Sequence, residues 1–214
     1  MTFSWKRINP PDTRCRVKLF AVFFTFALLA IIPLHGQVST AVPLLRIHTT
    51  LGAIDVELDA AHAPLTVANF LKYVEAGYYT GGQFHRTVTL HPNNQSGNAV
   101  KIEVIQAGVN SEFAEKAWEP IALERTTTTG LKHHDGTLSM ARAEPDSATS
   151  DFFICVGDQP ELDFGGKRNP DGQGFAAFGR VIKGIEIVRK IHAARADGQK
   201  LTPPVFIKKI ERMP

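Results

Sequence analysis

The sequence predicts a mainly β fold: an antiparallel barrel of about eight strands, closed on itself and capped by two α-helices. Three observations predict it. Short segments of alternating apolar and polar residues recur after residue 43, only two segments switch to a helical period, and neither a repeat nor a linker divides them. Closure removes the exposed edges that so many short strands would otherwise leave.

The elements follow in order. "LLRIHTT" (44–50) and "AIDVELD" (53–59) alternate on either side of Leu51-Gly52, which predicts a hairpin. In "APLTVANFLKYVEAGYY" (63–79), Pro64 suits a first helical turn, Val67, Phe70, Leu71 and Val74 repeat at helical spacing, and Gly77 ends the helix. "GGQFHRTVTL" (81–90) alternates again and places Phe84, Arg86 and Val88 on one face. A charge on such a face must reach water, pair with an acid or act on a ligand. "LHPNNQSGN" (90–98) is a polar loop, and "VKIEVIQAG" (100–108) a strand with Ile102, Val104 and Gln106 on one side. "GTLSMA" (136–141), "SDFFICVG" (150–157) and "AAFGRVI" (176–182) are further strands, with a Gly-rich loop at 161–175. "GIEIVRKIHAA" (184–194) is a second helix with Ile185, Val188 and Ile191 inward, and "PPVFIKKIERM" (203–213) a final strand.

The charge is divided unevenly. The 214 residues carry a formal +3, and 43% are hydrophobic, enough for one domain with a core. Residues 1–41 hold Lys6, Arg7, Arg14, Arg16 and Lys18 against Asp12 alone, a local +4, so the remainder carries −1. A near-neutral body offers no electrostatic footprint for nucleic acid. The run "LFAVFFTFALLAIIPL" (19–34) follows the basic stretch, and small residues at Ser39 and Ala41 suit cleavage after Ala41. Residues 1–41 therefore read first as a cleaved signal peptide and second as a membrane anchor, with the domain at 42–214. An exported protein, periplasmic or secreted, is the expectation, with membrane association only if the segment is retained. Cys155 is left without an intramolecular partner once Cys15 is removed, and its apolar surroundings predict a buried thiol.

The motifs go beyond the pattern. "FHR" (84–86), "IQAG" (105–108), "LSMAR" (138–142), "SDFFI" (150–154), "LDF" (162–164) and "FAAFGRVIKG" (175–184) occur in one order. Together they resemble the cyclophilin family of peptidyl-prolyl isomerases over roughly residues 44–212. The resemblance implies an eight-stranded antiparallel barrel, a surface site for proline-containing polypeptides, a monomer, and no metal or organic cofactor. It matches Arg86 to a catalytic arginine, His85 to the histidine before it, Gln106 to a glutamine that orients the arginine, and Phe153 to the floor of a proline pocket. Val104, Leu162 and Phe175 fall at the pocket walls, and Ala141 and Arg142 on the segment that pairs with a bound peptide. His133-His134 reads as a solvated pair, since adjacent side chains in a strand diverge and no further ligand completes a metal set.

Departures from the family pattern sharpen the expectations. Nineteen residues separate Arg86 from Gln106, more than the family usually has, so 89–99 reads as an inserted hairpin loop beside the site. Asp151 stands where a glutamine is usual and is expected to face the site, paired with Arg86 or Arg142. Glu103 and Glu161 replace usual aromatics, and Phe175 replaces a histidine or tyrosine.

Overall fold

In the computed structural model, the described residues are 42–214. The apolar run at 19–34, Cys15 and the expected cleavage point lie outside them. Among the described residues, no helix is long and apolar enough to cross a membrane.

The strands are β1 (Leu44–Thr49), β2 (Gly52–Leu58), β3 (Gln83–Val88), β4 (Val104–Gly108), β5 (Thr137–Met140), β6 (Phe152–Cys155), β7 (Ala177–Lys183), β8 (Ala196–Asp197) and β9 (Lys200–Arg212). They pair in the order β1-β2-β7-β5-β6-β4-β3-β9, and β1 also pairs with β9. That last pairing closes an eight-stranded antiparallel barrel, as expected; β8 is a two-residue strand added to the free side of β9. The β1–β2 hairpin turns at Thr49↔Gly52. Gly52 sits at φ +141, and a Cβ there would stand 2.5 Å from Cδ1 of Ile187, so the turn admits little else.

Two longer helices cap the barrel, α1 (Pro64–Glu75) and α3 (Ile185–His192); a four-residue helix, α2 (Thr126–Thr129), lies between them in the chain. The expected stripe of α1 is buried at Val67, Phe70 and Val74, joined by Tyr73. Its first turn has no side-chain cap of its own. Instead the Glu124 carboxylate accepts from the amides of Leu65 and Thr66, at 3.1 and 2.7 Å. In α3, Ile187, Val188 and Ile191 are buried, whereas Ile185, expected inward, is only half-buried.

The sheet separates two apolar clusters. The interior holds Phe84, Ile105, Ala107, Phe152 and Ile154 with the stripe of α1. A smaller outer cluster holds Val88, Ile102, Val104, Phe153, Cys155, Leu162 and Phe175. Alternation assigns β4 and β6 correctly to these two sides. It fails on β3. Phe84 lies opposite Ala107 and Arg86 opposite Gln106, so His85 is an extra residue, a β-bulge. The bulge reverses the alternation: Phe84 points into the barrel, while Arg86 and Val88 lie on the outer side. The expected sharing of a face by Phe84 and Arg86 is therefore wrong, and the arginine's apolar neighbours are Val88, Val104 and Phe153.

The strand expected from residue 100 starts only at Val104. Residues 100–103 are held instead by Gln95, which accepts from the Ile102 amide at 3.1 Å and donates to the Ile102 carbonyl at 2.7 Å. Asn94, whose surroundings fit a glycosylation sequon, spends its side chain on Thr89, Thr87 and Gly198 backbone groups.

Candidate active site

A cavity of about 350 Å³ opens on the outer face of β3, β4 and β6. Its volume falls within the range of small-ligand sites. Phe153 and Phe175 meet edge to face in it, with centroids 5.4 Å apart at 89°. Ile102, Val104 and Leu162 complete the apolar wall. Arg86, Gln106, Ala141 and Arg142 line the same cavity, as do Asn98, Arg168, Asn169 and Pro170. A larger cavity of about 480 Å³ lies beside β2 and β7, but its lining includes no phenylalanine, tyrosine or tryptophan and no arginine other than Arg180.

Arg86 is held by two amides. Its Nη1 donates to Oε1 of Gln106 and its Nε to Oε1 of Gln199, both at 2.8 Å. Each glutamine is oriented by a second bond. Gln106 Nε2 donates to Oδ2 of Asp151 at 3.1 Å, and Gln199 Nε2 donates to the Asn94 carbonyl at 2.9 Å. Both outer partners only accept, so both amides must turn their oxygens to the guanidinium. Among the described residues no carboxylate pairs with Arg86. Burial lowers its pKa, yet a guanidinium remains charged at any physiological pH.

The floor has its own support. His133 stacks on Phe153 with centroids 6.0 Å apart at 16°. Its Nδ1 lies 2.8 Å from Oδ1 of Asp163 and its Nε2 lies 3.0 Å from Oγ of Ser139. Burial pushes the His133 pKa down against the pull of Asp163. A lowered pKa favours the neutral ring at neutral pH, and the two partners then suit a proton on Nδ1 toward the carboxylate with the Ser139 hydroxyl donating to Nε2. Serine, histidine and aspartate in this order resemble a hydrolytic triad. Ser139, however, is 0% exposed, so no substrate carbonyl reaches it. The trio braces Phe153 from behind. His133 was expected to be solvated; it is buried, because it points under the cavity floor while His134 points outward.

The sequence profile described as "Cyclophilin type peptidyl-prolyl cis-trans isomerase/CLD" matches residues 44–212, nearly all of the described chain. The chain belongs to the cyclophilin family. Relatives agree. Peptidyl-prolyl cis-trans isomerase A of Dickeya dadantii is 36% identical over 180 residues, covering 84% of this chain and 85% of that protein. Peptidyl-prolyl cis-trans isomerase B of Escherichia coli is 35% identical over 149 residues, 69% and 83% of the two chains. The crystal structure of a Cryptosporidium parvum cyclophilin-type isomerase obtained in the presence of the dipeptide Ala-Pro superposes with a TM-score of 0.64 at 25% identity, covering 80% of this chain and 99% of that one.

Most residues matched to the family from sequence converge on this cyclophilin's cavity: Arg86, Gln106, Phe153, Val104, Leu162 and Phe175, with Ala141 and Arg142 at its edge. The Arg142 side chain is held by protein partners at the cavity edge. It forks onto Asp171 at 2.8 and 3.0 Å and lies over the Phe175 ring, 5.0 Å from its centroid. Two residues stand elsewhere. His85, at the bulge, lies 3.7 Å from Asp151 and does not line the cavity. Asp151 bonds neither Arg86 nor Arg142, correcting the expected pairing; it sits behind Gln106, against Gly108, where an added Cβ would stand 2.5 Å from Oδ1. Burial raises the pKa of Asp151, with the charge of His85 and the Gln106 bond opposing. Gln199 and Arg168 escaped the sequence reading, because each lies in a connecting segment without periodicity.

Proposed function

We propose that this cyclophilin accelerates cis–trans rotation of Xaa–Pro bonds in exported polypeptides, with Arg86 as the group that stabilises the twisted bond. An Xaa–Pro bond rotates over a barrier of roughly 18–20 kcal/mol because its C–N bond is partly double. At the half-rotated point the proline nitrogen regains a lone pair. A guanidinium aimed at that nitrogen bonds the twisted form and hardly touches either planar form, which is the differential binding that catalysis requires. No nucleophile, proton transfer or metal takes part.

The observation that carries this reading is the double amide clamp. It uses one N–H of Nε and one of Nη1, and Nη2 makes no hydrogen bond among the described residues, so it is free for a substrate nitrogen. The clamp is assembled before substrate arrives, so little reorganisation accompanies the reaction. The arginine does not suffice alone. A hydrogen bond from a charged group contributes about 1.5–3 kcal/mol, whereas a 10⁵-fold acceleration needs roughly 7 kcal/mol. The rest falls to the apolar floor and walls, which hold the ring while the preceding carbonyl turns in a site of low polarity. Asp151 on Gln106, rather than on Arg86, supports turnover over mere peptide binding.

His85 has no direct part in this scheme. The basic and apolar leader supports export, with periplasmic or secreted folding clients. A protease-coupled assay on a proline tetrapeptide tests the reading. Arg86→Ala is expected to lower kcat/KM about 10- to 150-fold, the catalytic equivalent of one charged hydrogen bond. Equal rates for the two proteins would sink it.

A further inference from the structure

The cavity that holds the proposed proline site is lined by three arginines and no carboxylate. Arg142 is neutralised by its fork onto Asp171. Arg86 and Arg168 have no acidic partner among the described residues. Arg168 comes from the Gly-rich loop and reaches across to the inserted loop and the residue after it, where its Nη1 donates to Oε1 of Gln95 at 3.0 Å and to the Val100 carbonyl at 2.7 Å. Both partners are neutral, so they fix the guanidinium without cancelling its charge. Gln95 is itself buried and bonded to Thr89 and Ile102, so the anchor is rigid. Arg86 and Arg168 line the same cavity of about 350 Å³, so each lies in the other's field, and the pKa of Arg168 is lowered by burial and by the charge of Arg86.

Two like charges held together in a half-buried cleft cost energy that a ligand anion would recover. Of the cavity's three cations, the rotation scheme above uses only Arg86. We propose that Arg168 makes this site selective for prolines with an anionic side chain, a carboxylate or phosphate ester, within two residues of the ring. The inference rests on the isomerase reading above and specifies its substrates. It also gives the inserted loop a use: Gln95, with Val100 just beyond the loop, holds the selecting charge at the rim of the cavity.

The test is a peptide series with one proline, carrying Ala, Glu, phosphoserine or Lys at each of the two positions on either side. Both kcat/KM and affinity, by fluorescence anisotropy, are measured on the domain spanning residues 42–214. For at least one flanking position, Glu is expected to exceed Lys by about tenfold, a value between the bulk-water and protein-surface limits for a charge pair at contact. Phosphoserine at that position distinguishes the two anion sources by exceeding or trailing Glu. The preference shrinks as salt rises. Arg168→Gln is expected to bring the Glu-to-Lys ratio near one, and Arg168→Lys to keep most of it. A ratio near one in the unmodified protein, or a ratio unmoved by Arg168→Gln, overturns the proposal. Should no peptide turn over while anionic peptides still bind preferentially, the isomerase reading falls and the selectivity stands. Equal or undetectable binding of Glu and Lys peptides would overturn the selectivity.

Discussion

Phe152 and Phe153 are adjacent on one strand and indistinguishable by composition, yet they belong to different halves of the molecule. Phe152 is fully buried in the barrel, edge-on to the rings of Phe70, Tyr79 and Phe84. Phe153 faces the other way, onto the outer cluster, with His133 behind it and Phe175 at its edge. Both are nearly inaccessible to water, so burial alone does not separate a stabilising ring from a binding one. The difference lies in what each ring adjoins. Phe152 meets only protein, whereas Phe153 closes the bottom of a cavity large enough for a ligand.

Replacing each ring in turn breaks the comparison most sharply. Phe152→Ala leaves a sealed void and is expected to cost about 3–5 kcal/mol in denaturant unfolding. Phe153→Ala opens a site that water already reaches, so about 1–2 kcal/mol is expected, with no closed cavity left. On isomerisation the order reverses. A folded Phe153→Ala protein is expected to lose roughly 60-fold in kcat/KM, the worth of three buried ring methylenes at about 0.8 kcal/mol each. Similar stability costs for the two, or an unchanged rate in the second, would show that the two faces are not distinct.

The barrel was legible in the sequence because alternation in β4 and β6 survives folding unaltered, and the order of six short motifs fixed its closure. The cavity was legible in part. Val104, Phe153 and Leu162 follow from pattern and resemblance together, but the face of Arg86 did not, because a bulge is a single inserted residue with no signature in "QFHRTV". Gln199 and Arg168 were illegible for another reason. Connecting segments lack a period, so nothing local indicates which polar side chain bends back to the site. His133 was misjudged because a buried histidine is identified only by its partners, Asp163 and Ser139, which lie 30 and 6 residues away.

That histidine sharpens the comparison further, since it ties the stability of the outer cluster to pH. Its pKa is lowered in the folded state, chiefly by burial, from the usual 6.5. The unfolded chain therefore binds more protons once pH drops through that value. Stability is full above it and declines as pH falls below it. Asp163 is lowered as well: burial raises its pKa, but the bonds and charge of His133 and the charge of Lys132 prevail and lower it. Its contribution is lost only in more acid solution, below the usual carboxylate range. Unfolding midpoints measured from pH 8 to pH 5 are expected to fall for the unmodified domain. His133→Gln, less stable throughout, is expected to show a flatter profile over that interval. Parallel profiles would assign the decline to other groups.

The smallest expected effect concerns Asp151, which touches no substrate in this scheme and acts through Gln106. Removing its acceptor in Asp151→Ala releases the amide of Gln106 to rotate, so that its NH₂ can face the guanidinium and repel it. Only the orientation of Gln106 is at stake, a fraction of its bond to the guanidinium worth about 0.5–1 kcal/mol, giving a two- to fivefold loss in kcat/KM. Asp151→Asn still offers an oxygen to Gln106 Nε2 and is expected to restore most of the rate. The ordering of the pair is what matters. A direct electrostatic role for the carboxylate would make the asparagine variant as impaired as the alanine one, and a purely structural role would lower stability in both without separating their rates. Gln199, gripped by the Asn94 carbonyl, has no carboxylate behind it. The two glutamines thus hold one arginine by the same logic with different anchors, one charged and one neutral.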